Sequence, residues 1–392
     1  MRKRLVVPAI AVVVLALVLA WAVFRTPARR QANQPPVATE RPAVNVGVLQ
    51  PLSGSLAAGG QRAVEAIRMA ADEHNARGAE KIEVIVEDSQ GDPAEGLKAF
   101  HRLTSGGRTR MVLGDLTSSV TLAIAPTAEK ARVVVVAPGA SAPAVRNAGE
   151  YIFRNWVADD FDATAAALFA RNAKQWKRAA VLFIRNDYGA GAEAAFVRAF
   201  TSAGGSVALR DSFAPNETQF RSLITKVSRP DLDVIYIAAQ PRELAQLLRQ
   251  LRARGVRTTV LTNASAEERD FQTIAASAAD GIYYTAPVGA PAPAEPAFKQ
   301  FTENYRRRYN LDPDIVSMHA YDAAQMLFRC TSQRAPDEVR KCLNGLSEFK
   351  GVLGPARFDD HGDVLRPVAI KERRAGQALT IATFEPMSRS WI

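Results

Sequence analysis

Val112-Leu-Gly-Asp-Leu-Thr-Ser-Ser-Val-Thr-Leu-Ala123 ends an apolar run on a glycine and sets two adjacent serines before a helix-like pattern. Val133-Val-Val-Val-Ala-Pro-Gly-Ala-Ser141 repeats the arrangement, with a buried-type strand, a turn of small residues and a hydroxyl. Two readings are open. Ser118 or Ser119 caps the following helix, as hydroxyl residues often do, or two neighbouring strands aim polar groups at one ligand.

Outward from these turns the chain alternates. Strand-like segments at 44–49, 82–87, 111–113 and 133–137 are separated by helical patterns at 61–75, 94–103 and 121–130. Asp92-Pro93 supplies a cap and a first-turn proline for the second of these helices. Runs such as 133–136 are apolar at every position, which predicts a parallel sheet covered on both faces. The pattern then restarts, with helices at 161–172, 190–203, 217–227 and 242–254. Strands at 179–184, 207–211, 234–238, 258–261 and 281–285 lie between and after them. A proline-rich crossing at 286–296 leads to helices near 297–308, 315–330 and 336–346, then to strands at 356–359 and 364–371. The expected fold class is α/β, with two doubly wound, Rossmann-like lobes. Ligands of open parallel sheets bind beyond the carboxyl ends of the strands, where both serine turns lie.

Composition narrows the function. The 392 residues carry a net charge of +10, but seven basic residues and one acid fall within positions 1–42. The other 350 residues hold 43 basic and 39 acidic groups, and none of their basic runs interleaves with aromatics as a nucleic-acid surface does. Met1-Arg-Lys-Arg4 precedes an uncharged apolar run from Leu5 to Phe24, long enough for a bilayer core of about 30 Å. Residues 1–25 read as a cleaved signal peptide or an uncleaved signal-anchor helix; either sends the body out of the cytoplasm, to the periplasmic side. Residues 26–43 read as a proline-rich tether. In that compartment Cys330 and Cys342 either form a disulfide or remain free thiols. No catalytic constellation is present: the four histidines are scattered, and nucleophile-elbow, dinucleotide and phosphate-loop motifs are missing. No cofactor is expected.

Ten short stretches carry a resemblance. In the first half they are Val48-Leu-Gln-Pro-Leu-Ser-Gly54, Asn75-Ala-Arg-Gly78, Asp88-Ser-Gln-Gly-Asp-Pro93, Gly114-Asp-Leu-Thr-Ser-Ser119, Ala137-Pro-Gly-Ala-Ser-Ala-Pro143 and Tyr151-Ile-Phe-Arg154. Asn186-Asp-Tyr-Gly189, Pro230-Asp-Leu-Asp233, Tyr321-Asp-Ala323 and Phe358-Asp-Asp-His-Gly362 complete them. In this order they resemble the Leu/Ile/Val-type substrate-binding proteins of bacterial ABC importers, which have the type I periplasmic binding protein fold. The resemblance implies two lobes joined by three crossovers. Lobe 1 is expected at 44–157 plus 286–350 and lobe 2 at 158–285 plus 351–392, with hinges near 157, 286 and 350.

The resemblance also implies a site. Ser118, with Ser119 beside it, and the Gly139-Ala140-Ser141 turn are expected to hold a ligand carboxylate, and Tyr188 to cover the solute from lobe 2. The other reading of Tyr188 is a packing tyrosine at a helix start. Amino-acid binders commonly place aromatics where this chain has Gly59 and, nearby, Gln240; the counter-charge for an ammonium falls to Glu267 or its neighbour Glu268. The implied function is capture of a small amino acid, amide or carboxylate for delivery to an ABC permease in the cytoplasmic membrane, by a monomer or weak dimer. The other use of such a fold is a membrane-tethered sensor, or a regulator of an envelope enzyme by protein contact.

Overall fold

The structure, a computed structural model, describes residues 43–78, 80–287, 296–347, 349–385 and the backbone of 390–391. The apolar leader, the tether up to residue 42 and positions 288–295 of the proline-rich crossing lie outside the described residues.

The first sheet is built from β1 (Ala43–Gln50), β2 (Lys81–Asp88), β3 (Met111–Leu113), β4 (Val134–Ala137) and β5 (Ile152–Arg154), in the order β2-β1-β3-β4-β5 and parallel throughout. Successive side chains of a strand point to opposite faces. Accordingly Val46, Val48, Leu113, Val134 and Val136 enter one apolar core, while Leu49, Val112, Val133, Val135 and Ala137 enter another. The all-apolar run therefore fills both sides of the sheet. α1 (Ala57–Arg77), α2 (Pro93–Thr104) and α3 (Ser118–Ala131) are the crossovers. Asp92 caps α2 as its sequence predicts, accepting from the amides of Ala94 at 2.8 Å and Glu95 at 3.0 Å.

The second sheet has eight strands. β6 (Arg178–Ile184), β7 (Ser206–Phe213), β8 (Val234–Ala238), β9 (Thr259–Thr262) and β10 (Tyr283–Pro287) are parallel, in the order β7-β6-β8-β9-β10, and so repeat the first sheet's winding. α4 (Asp159–Leu168), α5 (Asp187–Ser202), α6 (Arg221–Val227), α7 (Pro241–Ala253) and the unforeseen α8 (Arg269–Ala275) accompany it. α9 (Pro296–Tyr309), α10 (Ile315–Phe328) and α11 (Pro336–Asn344) follow, with α10 packed on α1 of the first lobe.

The tail departs from expectation. Phe349–Gly351 (β11) and Gly354–Ala356 (β12) form a separate hairpin. Phe358 pairs with Val364 only as an isolated bridge, and the next strand, β13 (Val368–Arg374), starts after Pro367 rather than at 364. Proline has no amide to donate to a ladder, so pairing resumes beyond it. β13, β14 (Gln377–Glu385) and β15 (Ser390–Trp391) extend the second sheet antiparallel from β10. Cys330 and Cys342 are joined in a disulfide, their Cα atoms 5.7 Å apart, tying the end of α10 to α11.

Between the halves lies a buried polar network. Asp322, fully buried, accepts from the amides of Val352 at 2.8 Å and Leu353 at 3.1 Å, and from Arg366 at 3.3 Å. Arg366 also reaches Asn155 Oδ1, whose side-chain amide donates to the His319 carbonyl. These bonds tie together the segments near 155, 320, 352 and 366. A buried arginine without such partners is strongly destabilising.

Candidate functional site

A strand order of 2-1-3-4-5 reverses direction between its second and third members, and the crevice at that switch point accepts ligands. Here the reversal falls at β1/β3 in one sheet and β6/β8 in the other. A cleft is lined from both. The first half provides Leu56, Gly59 and Arg62 after β1, Leu116 to Ser118 after β3, and Gly139 with Ser141 after β4. The second provides Asp159 and Asp162 on α4, Tyr188 after β6, Gln240 after β8, and Asn263, Ser265 and Glu268 after β9. The cleft encloses about 820 Å³ with its open mouth included.

The two serine turns are fastened to each other. Thr117, not a serine, is the cap of α3, its hydroxyl accepting from the Val120 amide. Ser118 is the first residue of the helix, and its Oγ accepts from the Ala142 amide at 3.0 Å. Gly139 is required where the turns touch, because a β-carbon there would stand 2.8 Å from the Leu116 carbonyl oxygen. Arg154, fully buried, donates to the carbonyls of Ser141 at 3.0 Å and Ala142 at 2.8 Å, fixing the second turn from below.

Five of the eight expected residues, Ser118, Gly139, Ser141, Tyr188 and Gln240, line the cleft. Three do not. Ser119 turns to the rim and donates to Asp187 Oδ2 at 2.5 Å, a bond from α3 to α5. Ala140 is fully buried in the apolar cluster behind the turn. Glu267 accepts from the Tyr284 hydroxyl at 2.9 Å and from Lys371 at 2.6 Å, facing the second sheet instead. A 3-10 turn over Ala264–Glu267 rotates the chain so that Glu268 faces the cleft in its place.

Arg62, Trp156, Asp159 and Asp162 also line the cleft, without having stood out in the sequence. Asp159 and Asp162 are three residues apart in the first turn of α4, so they share a face. Burial, then the nearby Asp162 charge, holds the Asp159 carboxyl well above the usual range against the opposing Ser141 hydroxyl. Burial pushes Asp162 up to about 7 although Thr285 donates to it at 2.6 Å. Glu268 rises to about 8, through burial and the proximity of Asp314 and Asp270, which outweigh Arg62. Tyr188 is bonded to the Asn263 side chain, and burial with the charges of Asp159, Asp162 and Glu268 raises its phenol well above the ordinary range. Three carboxylates thus surround one tyrosine.

Arg62 spans the cleft. Its Nε lies 2.6 Å from Asp314, an ion-pair contact out of line for a hydrogen bond, while Nη1 is 3.4 Å from Asp270 and Nη2 3.9 Å from Glu268. Burial opposes its charge, but the three carboxylates outweigh that and raise its pKa. Trp156 forms another part of the wall and packs on buried His319, with ring centroids 4.2 Å apart and planes tilted by 37°. Burial lowers that histidine to about 3, so it is a neutral packing group. Among the described residues no cluster of metal-ligating side chains occurs.

Two like-wound α/β lobes with strand-end turns facing one cleft define a solute-binding receptor. The chain belongs to the periplasmic binding protein family, whose model matches residues 43–377. It is 25% identical over 329 residues to the Leu/Ile/Val-binding protein BraC3 of Rhizobium johnstonii, covering 82% of this chain and 89% of that one. The leucine-binding protein LivK of Thermotoga maritima superposes with a TM-score of 0.82 at 26% identity, over 88% of this chain and 99% of its own. A solute-binding protein of Rhodopseudomonas palustris in complex with 3,4-dihydroxybenzoic acid gives 0.80 at 19% identity, over 88% and 97%. The protein is a non-catalytic, extracytoplasmic receptor that takes a small molecule and serves an ABC importer.

Proposed function

We propose that the receptor captures an amino-acid-like solute in the cleft between the sheets, as a monomer or weak dimer, and presents the closed form to its permease. The observation that carries this reading is the convergence of strand-end residues from both sheets on one cleft. On the lobe 1 wall, the Ser118 helix start and the Gly139–Ser141 turn offer polar groups to a carboxylate, as helix N-termini do. On the lobe 2 wall, Tyr188, Gln240 and Glu268 offer polar groups to the rest of the solute. BraC3 and LivK, named for branched-chain amino acids, support an amino-acid-like ligand.

The lobes divide at 44–157 plus 286–350 and 158–285 plus 351–392, and hinge motion about the crossovers near 157, 286 and 350 closes the cleft. Support for the division comes from the first sheet ending at Arg154 and from β13 and β14 joining the second. Titration calorimetry of the purified chain against amino acids, amides and aromatic acids, with small-angle scattering of the empty and loaded protein, tests the reading. One tight solute and a smaller radius of gyration are expected. Binding without compaction removes the hinge mechanism, and a panel without binders removes the receptor reading for these solute classes.

A further inference from the structure

Acidic side chains outnumber basic ones in the cleft lining. Arg62 and Arg242 face Asp159, Asp162, Glu268 and Asp270. Asp270 is shared by both arginines, at 3.4 Å from Arg62 and 3.1 Å from Arg242. Arg62 is drawn to Asp314 at 2.6 Å and stands 3.9 Å from Glu268. Asp159 and Asp162 therefore have no close cationic partner, and Glu268 has only Arg62, which it shares with Asp314 and Asp270. Arg154 lies beside Asp159 but is committed to Asp363 at 2.6 Å and to two backbone carbonyls.

One atom points to a ligand independently of charge counting. Asp159 is 4% exposed, lines the cleft, and its Oδ2 is buried without a hydrogen-bond partner. Buried polar atoms are ordinarily paired, so an orphaned carboxyl oxygen on a cleft wall is a position open to a donor carried by a ligand. Of the hydroxyls nearby, Thr285 donates to Asp162, Tyr188 accepts from the Asn263 side chain and Ser141 faces Asp159, yet Asp159 Oδ2 is left without a bonded partner. A neutral zwitterion adds a carboxylate for each ammonium it brings and leaves the excess of acidic groups as it was. Apolar side chains contribute only part of the wall, chiefly Leu56, Leu116, Trp156 and Val316.

Resting on the receptor reading above, we propose that the solute is a small organic cation with two amine-type centres, shared among Asp159, Asp162 and Glu268. A basic amino acid and a short diamine both present that chemistry. The raised carboxyls agree with this, because an arriving ammonium ionises them and releases their protons to the buffer. The charged groups facing them are Asp160 and Arg154 at Asp159, and Arg62, Asp270 and Asp314 at Glu268.

The test is titration calorimetry of the full chain at neutral pH with L-lysine, L-arginine, putrescine, L-leucine and benzoate, in two buffers of different ionisation enthalpy. At least one of the three cations is expected to bind at least about tenfold tighter than leucine and benzoate, releasing on the order of one proton. Lysine or arginine without putrescine identifies a basic amino acid, and putrescine alone a diamine. Glu268→Gln, at a half-buried position, and Asp162→Asn should each weaken the cation about tenfold or more and reduce the proton count. The melting transition of the empty variants checks folding, and Glu268→Gln decides if Asp162→Asn misfolds. Preference for leucine or benzoate, or cation binding without proton release, overturns the inference and leaves the receptor reading standing. No binding by any of the five probes overturns the inference and counts against the reading as well.

Discussion

Arg154 and Asp363, distant in sequence, meet in a two-point ion pair, Nε to Oδ1 at 2.6 Å and Nη2 to Oδ2 at 2.8 Å. The same guanidinium holds the Ser141–Ala142 turn, so the pair links the late Asp359–Asp363 segment to a wall of the cleft. Removing one partner of a buried pair costs about 3–5 kcal/mol, because the other charge is left uncompensated. Asp363→Ala should lower stability to urea by that order. Arg154→Met should cost less, since Arg146 also reaches Asp363, at 2.7 Å. Equal losses in urea titrations of the two variants would refute this asymmetry.

Ser118 offers a second test. Its Oγ accepts from the buried Ala142 amide as well as lining the cleft. Leaving a buried donor unpaired costs about 1–3 kcal/mol. Ser118→Ala should therefore lower both solute affinity and the melting midpoint of the empty protein. Ser141→Ala, whose hydroxyl faces Asp159, should weaken binding with a smaller thermal change. Calorimetry and thermal melts of both variants separate these outcomes.

The ligand-free protein should lose stability as pH rises. Carboxyls in an unfolded chain titrate near pH 4, whereas the folded chain holds Asp162 at about 7 and Glu268 at about 8. Across that window the folded state binds more protons than the unfolded state, so these groups reduce stability as they ionise. The melting midpoint should be a few degrees higher near pH 5.5 than near pH 8. Asp162→Asn should flatten the slope, and an unchanged slope would contradict the assignment.

The Cys330–Cys342 bond closes a short loop, with a sequence separation of 12. Loop-closure entropy for such a ring corresponds to roughly 3 kcal/mol. A double serine variant should melt earlier by that order, and thiol titration of the oxidised, denatured protein should detect no free cysteine. Detection of two thiols would contradict the pairing.

Much of the fold is legible because its strands are continuous apolar runs between helical patterns, and 133–137 differs from the observed Val134–Ala137 only at its start. The serine turns are readable because they end such strands. The acidic wall is not. Asp159 and Asp162 open a helix, where carboxylates are ordinarily favoured by the backbone dipole, so their type carries no special signal. Their burial depends on Ser141 and Thr285, brought in by distant chain segments. Glu267 and Glu268 differ only in phase, and a short 3-10 turn decides which of them faces the cleft. Arg62 looks like any solvated helix residue until Asp314, Glu268 and Asp270 gather around it.

The repeated winding of the two sheets has a consequence for dissection. Each supplies a single bank of the recess, and neither encircles a molecule by itself. Cutting the chain into its halves, even into pieces that fold, leaves every candidate guest wet on one side. Recognition belongs to the seam.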